Sequence, residues 1–185
     1  MDDRKIIKLY LERNEKAISC TAEKYGAYCF FISDNILKDK ADADECVNDT
    51  YLKTWNSIPP HKPEKLSAFL GKIVRNLSFN RYKMKRAEKR GGGQIEVVLD
   101  ELEECIPGKS VEEEIEKKEL TAMLNTFVSS LSEKQKRVFV SRYWYACSVS
   151  DIARSMGMTE TSVSVTLNRL RKKLCSYLAE RGIRS

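Results

Sequence analysis

The chain has 185 residues, enough for one ordinary domain or two small ones joined by a linker. With 33 basic and 27 acidic residues its formal charge is +6, and 42% of it is apolar: a globular composition with a basic tilt, too apolar for a wholly disordered chain. Its longest uncharged stretch, Leu120 to Ser132, has 13 residues against the ~20 that a membrane span needs, and the opening MDDRKIIKLYLE mixes acids and bases where a signal peptide keeps an unbroken apolar run. The expectation is a cytoplasmic chain without membrane insertion.

Six scattered cysteines (Cys20, Cys29, Cys46, Cys105, Cys147, Cys175), no two closer than nine residues, and a single histidine, His61, offer no metal-ligand spacing and no basis for a His-dependent triad. No metal, cofactor or disulfide framework is expected. Charge is strongly partitioned. Residues 1–60 carry 9 bases and 11 acids, 61–90 carry 10 and 2, 91–130 carry 3 and 10, and 131–185 carry 11 and 4. A folded basic block is read either as a solvated charged face or as the footprint of a polyanion partner, and two such blocks on separate helical units favour the polyanion.

In chain order, DADECVNDTYLKTW (42–55) reads as a helix with Val47, Tyr51 and Trp55 on one face and Asp42, Glu45 and Asp49 on the other. PPHKPEK (59–65) is a proline-rich loop. Residues 66–90 read as a second helix, with Leu66, Phe69, Leu70, Ile73 and Leu77 inward. Its opposite face collects Lys72, Arg75, Phe79, Tyr82, Lys83 and Arg86. Aromatics among cations need a cover, and two are open: unpaired bases stacking at ~1–3 kcal/mol each, or a neighbouring helix.

The span 91–119 reads as an acidic flexible linker, with Gly91-Gly92-Gly93 and Pro107-Gly108 as breakers. It divides the chain into domains 1–90 and 120–185. Beyond it, Leu120, Met123, Leu124, Phe127, Val128 and Leu131 form an amphipathic stripe, and Ser132 with Gln135 predicts a capping box. No run sustains a two-residue alternation, so the fold class is all-α: two small helical domains.

Residues 148–178 carry the clearest local signal. A short helix opened by Ser148 ends at Gly157, and Thr159 can cap a second helix whose inward stripe is Val163, Leu167, Leu170, Leu174 and Leu178. Short helix, glycine turn and long helix make a helix-turn-helix. At 100° per residue the face opposite the stripe holds Thr161, Ser162, Val165, Asn168, Arg169 and Lys172. Asn and Arg can pair with base edges and Val165 suits a thymine methyl, while Arg171, Lys172 and Lys173 would neutralise phosphates.

DADECVNDTYLKTW followed by FLGKIVRNLSFNRYKMKRAEKR resembles region 2 of bacterial RNA polymerase sigma factors. LSEKQKRVFVSRYWYACSVSDIARSMGMTETSVSVTLNRLRKKL resembles their region 4. Both together, with only a linker between, are similar to the extracytoplasmic-function (ECF) class. The resemblance implies that Asp42, Glu45, Asp49 and Leu52 dock on the β′ coiled coil of core RNA polymerase, whose β subunit is a further partner. It implies that the 66–90 helix grips the −10 promoter element as it melts, with Asn76 reading a flipped base in a pocket completed by loop 59–65. The helix-turn-helix would read the −35 element, and the acidic linker would thread the RNA exit channel. An anti-sigma factor is a further candidate partner. Ser164 and Thr166 stand where many members have basic residues, which shifts −35 reading toward Val165, Asn168 and Arg169.

Two other readings compete: a stand-alone helix-turn-helix regulator on duplex operators, which would not need Phe79, Tyr82 or the acidic linker, and a nucleic-acid enzyme, which would need Asp42, Glu45 and Asp49 to close a metal site. The leading expectation is a non-enzymatic promoter-specificity subunit.

Overall fold

The computed structural model describes residues 1–88, Val98, Glu101 and 114–183; the side chains of 86–88 and 114–118 are outside that description. The described residues form eight α-helices and no strand, so the all-α expectation holds. The chain divides into two compact units, Met1–Gly91 and Gly92–Ser185.

The first unit contains α1 (Asp3–Leu11), α2 (Lys16–Leu37), α3 (Lys40–Ser57) and α4 (Leu66–Glu88). α2, α3 and α4 each pack on the other two, and α1 lies along α2. Lys38 closes α2 in the left-handed region, and Asp39 caps α3 by accepting from the amides of Ala41 and Asp42. The buried polar groups are paired: Tyr10 with Thr21 at 2.9 Å, Ser78 with Ser33 at 2.8 Å, and Thr50 and Thr54 with carbonyls one turn back. Such pairing removes the penalty of burying a hydroxyl.

α4 buries a different stripe from the one its hydrophobicity suggests. Leu66, Leu70, Val74 and Ser78 are fully buried, whereas Phe69, Ile73 and Leu77 are only half-buried. The cause is tertiary. α4 sits against both α2 and α3, so its buried arc turns toward Val74 and Ser78, where the Ser33 hydroxyl supplies a partner.

The second unit contains α5 (Glu114–Ser129), α6 (Glu133–Tyr143), α7 (Val149–Met156) and α8 (Glu160–Ala179). The α6 capping box forms as the sequence suggests, with Ser132 Oγ accepting from the Gln135 amide and Gln135 Oε1 from the Ser132 amide. Ser148 caps α7 through the Asp151 amide and Thr159 caps α8 through the Ser162 amide. Phe127, Val138, Ile152, Val163, Leu167 and Leu174 meet in one core.

Two findings differ from the sequence reading. Val98 is buried in this second core and α5 begins at Glu114, so parts of the 91–119 span read as linker belong to the folded unit; Gly91–Gly93 and Pro107-Gly108 lie outside the described residues. Cys175 is disulfide-bonded, against the expectation of no disulfide framework.

Candidate nucleic-acid interface

The helix-turn-helix is built by three local devices: the Ser148 cap, Gly157 at φ 61°, and the Thr159 cap. Positive φ is strained for a side chain bearing a Cβ, and glycine removes that strain. All five stripe residues of α8, from Val163 to Leu178, are buried, which fixes the opposite face outward. Thr161, Ser162, Val165, Asn168, Arg169 and Lys172 are all exposed there. Val165 is 43% exposed, an apolar side chain on an otherwise polar face. The Ser162 hydroxyl accepts from Thr159 Oγ1 at 2.8 Å and is thereby tied to the cap. Arg171, read from sequence as a phosphate neutraliser, is half-buried and lies 3.4 Å from the Glu101 carboxylate.

On α4, Lys72, Asn76 and Lys83 are exposed, while Arg75, Phe79 and Tyr82 are half-buried. Arg75 stacks its guanidinium on the Phe79 ring, 4.6 Å from the centroid, and burial pulls it below the usual arginine range. The aromatics are therefore partly covered from within, rather than standing out among cations as periodicity suggests. The side chain of Arg86 lies outside the described residues. Loop 59–65 is tied at its start, where the His61 amide donates to the Ser57 carbonyl at 3.0 Å, and the His61 ring lies 6.3 Å from that of Phe69.

The acidic face of α3 is not uniformly free. Asp42 has a side chain only 14% exposed, lies 3.6 Å from Arg81 and is hydrogen-bonded by Lys85. Arg81 also pairs with Glu45 at 2.6 Å, a hydrogen bond that holds the guanidinium above its usual range. Asp39 is held low, first by the Asp42 amide and then by Lys85. The Asp42 and Glu45 carboxylates are thus both engaged by cations of α4; among the described residues no group of three or more His, Cys, Asp or Glu is placed to hold a metal ion. Asp49 is exposed and Leu52 is 60% exposed. Beside Asp49 runs a groove of about 310 Å³ between α3 and α4, lined by Leu77, Asn80, Arg81 and Met84 among others. Sequence reading missed this groove. Arg81 and Lys85, one turn apart on α4 and matched to the cap Asp39 and to Asp42 and Glu45 on α3, are the signal that could have revealed the pairing.

A modular DNA-binding protein is the class defined by two self-contained helical units, one of which turns a polar, basic recognition helix outward. Family comparison narrows it. Residues 23–88 match the family model described as Sigma-70 region 2, and residues 121–174 match Sigma-70, region 4. RNA polymerase sigma-E factors of Streptomyces avermitilis and Streptomyces antibioticus are each 24% identical over 149 residues, 80% of this chain and 77% of theirs. The sigma-E factor of Streptomyces coelicolor is 23% identical over 80% of this chain and 78% of its own. A solved structure of CnrH in complex with the cytosolic domain of CnrY aligns over 96% of this chain and 97% of that one, at 18% identity and a TM-score of 0.45. The chain belongs to the sigma-70 family and is an ECF-type sigma factor, a DNA-binding subunit of transcription initiation that works with RNA polymerase and promoter DNA. Among the described residues no helix is long and apolar enough to cross a membrane.

Proposed function

We propose that this chain directs core RNA polymerase to promoters through two separate contacts and carries no catalytic activity of its own. The observation behind this reading is the outward face of α8, where Thr161, Ser162, Val165, Asn168, Arg169 and Lys172 stand exposed over a fully buried stripe. In a major groove Asn168 and Arg169 pair with base edges, Val165 meets a thymine methyl, and Lys172 neutralises a phosphate, together reading the −35 element.

The outer face of α4 takes the −10 element as it opens. Lys72 and Lys83 follow the backbone of the displaced strand, with Arg86 continuing the row by sequence. Phe79, Tyr82 and the Arg75 guanidinium offer planar surfaces for unstacked bases. Asn76, exposed on the same helix, reads a flipped base against loop 59–65. Flipping costs a few kcal/mol, which stacking and one amide pair offset.

Polymerase docking falls to the end of the α3 face where Asp49 and Leu52 are exposed, beside the α3–α4 groove; Asp42 and Glu45 contribute through the charge they share with Arg81 and Lys85. An anti-sigma factor covering these faces, and residence in the cytoplasm with the polymerase, complete the reading. The deciding experiment is in vitro transcription with core polymerase on genomic fragments, with start sites mapped. Initiation at discrete sites sharing two spaced elements is expected; initiation unaffected by the chain would overturn the proposal.

A further inference from the structure

Glu101 precedes α5 and is only 18% exposed. Its carboxylate accepts from Arg142 twice, Nε at 3.2 Å and Nη2 at 2.9 Å, and its Oε2 lies 3.4 Å from Arg171 Nη1. Arg142 is the deeper cation, with a side chain 4% exposed and Nη1 donating to the Cys147 carbonyl at 3.0 Å. Arg171 Nη1 also donates to the Tyr143 hydroxyl at 3.5 Å. Burial pushes that phenol up to about 12, so it stays protonated and neutral at physiological pH. Val98, three residues before Glu101, is buried in the same core, so the segment has an apolar anchor and an ionic one.

Two guanidiniums converging on one carboxylate, one of them also bonded to a neutral hydroxyl, use the chemistry that recognises a phosphate oxygen. Arg171 adjoins Lys172, on the shoulder between the buried stripe and the exposed face of α8. We propose that Arg142, Arg171 and Tyr143 form an anion site on the helix-turn-helix unit, that Glu101 fills it from within the chain, and that this filling withholds Arg171 from the DNA backbone. Arg142 remains structural through Cys147. Arg171 is the cation that a duplex phosphate gains when the carboxylate leaves. The inference rests on the reading that α8 meets duplex DNA.

The test titrates the full chain, E101Q, Arg171→Gln and the double variant with a labelled duplex of mixed sequence across a salt series. Circular dichroism melting checks each fold. Phosphate contacts are independent of sequence, so no promoter is required. E101Q should bind several-fold more tightly at low salt, and its log K should fall against log salt more steeply by about 0.9, the slope of one phosphate contact. Arg171→Gln should cost more affinity in the E101Q background than in the native one. Equal affinity and slope for a folded E101Q would overturn the inference. Should E101Q fail to fold, Arg171→Gln alone decides: a slope shallower by about 0.9 than the native chain's would place that arginine on DNA already and overturn it, and an unaltered slope supports it. A native chain that directs initiation with core polymerase while showing neither effect leaves the sigma function standing and removes only this inference.

Discussion

Arg75 lies over the ring of Phe79 one helical turn along α4, 4.6 Å from its centroid, and together they make a half-buried planar ledge beside exposed Lys72 and Asn76. The pairing keeps partly covered a ring that would otherwise face water. A base stacked on this ledge, as proposed above, would contribute ~1–3 kcal/mol. Replacing Phe79 and Tyr82 by alanine should therefore slow promoter opening by roughly one to two orders of magnitude. Duplex binding by the same holoenzyme should change little. Permanganate reactivity of the opened strand against filter binding of the closed complex separates the two. Equal loss in both would remove the stacking role.

Charge reversal on α3 should divide into two kinds of effect. Asp42→Lys places a cation against Arg81 and Lys85, which now share that carboxylate. It should destabilise the first unit by about 1–3 kcal/mol and be read as a lower melting temperature. Asp49→Lys with Leu52→Ala alters exposed side chains, where substitutions shift stability by about 0.5 kcal/mol or less. That pair should abolish co-purification with core polymerase while the melting temperature holds. Retention of the complex would move docking elsewhere.

On α8 the same logic separates reading from holding. Asn168→Ala or Arg169→Ala should cost ~1–3 kcal/mol at particular base positions and relax preference there. Lys172→Ala should weaken binding to all sequences alike and reduce the salt slope by about 0.9. Affinity measured on duplexes varied one position at a time distinguishes these outcomes; a Lys172 effect confined to one base would reverse its role.

What the sequence disclosed follows the range of the interaction. Caps are local, so Ser132, Ser148, Gly157 and Thr159 were legible from residues at most three or four positions away. The α8 stripe was equally legible, because the helix buries one side against one core. α4 was misjudged because it packs on two helices at once, and a hydrophobic stripe cannot say that a second neighbour turns the buried arc toward Val74 and Ser78. Long-range ionic partners were hidden for the same reason: Arg81 lies 36 residues from Glu45, and Glu101 lies 41 from Arg142. Reading Arg171 as a phosphate neutraliser failed for this reason, since a carboxylate 70 residues away in the same unit holds it.

Gly71 lets α4 approach Tyr28 of α2 closely. A Cβ there would lie 2.5 Å from the Tyr28 hydroxyl oxygen and 3.4 Å from its ring carbon Cζ. Overpacking of this kind costs about 1–3 kcal/mol. Gly71→Ala should lower the stability of the first unit by that amount despite alanine's better helix propensity. Tyr28→Phe, which removes the clashing oxygen, should recover part of the loss in the double variant. Gly71→Ala with unaltered stability would mean that Tyr28 swings aside freely.

The last prediction concerns acid. Asp3 at the start of α1 accepts from Lys24 Nζ at 2.6 Å and from the Tyr25 hydroxyl at 2.5 Å. Burial pushes this carboxyl up, but the two hydrogen bonds and the Lys24 charge outweigh it and leave Asp3 below its ordinary 3.8. A carboxyl lowered by folding stabilises the fold at every pH above its unfolded value, and that contribution fades as pH falls through the folded value. Asp3→Asn removes the linkage. Hydrogen exchange of α1 amides should therefore show the native chain better protected than Asp3→Asn at neutral pH, with the difference shrinking once pH falls below 3.8. A difference that persists undiminished into acid would show that Asp3 acts through packing or capping rather than through its charge.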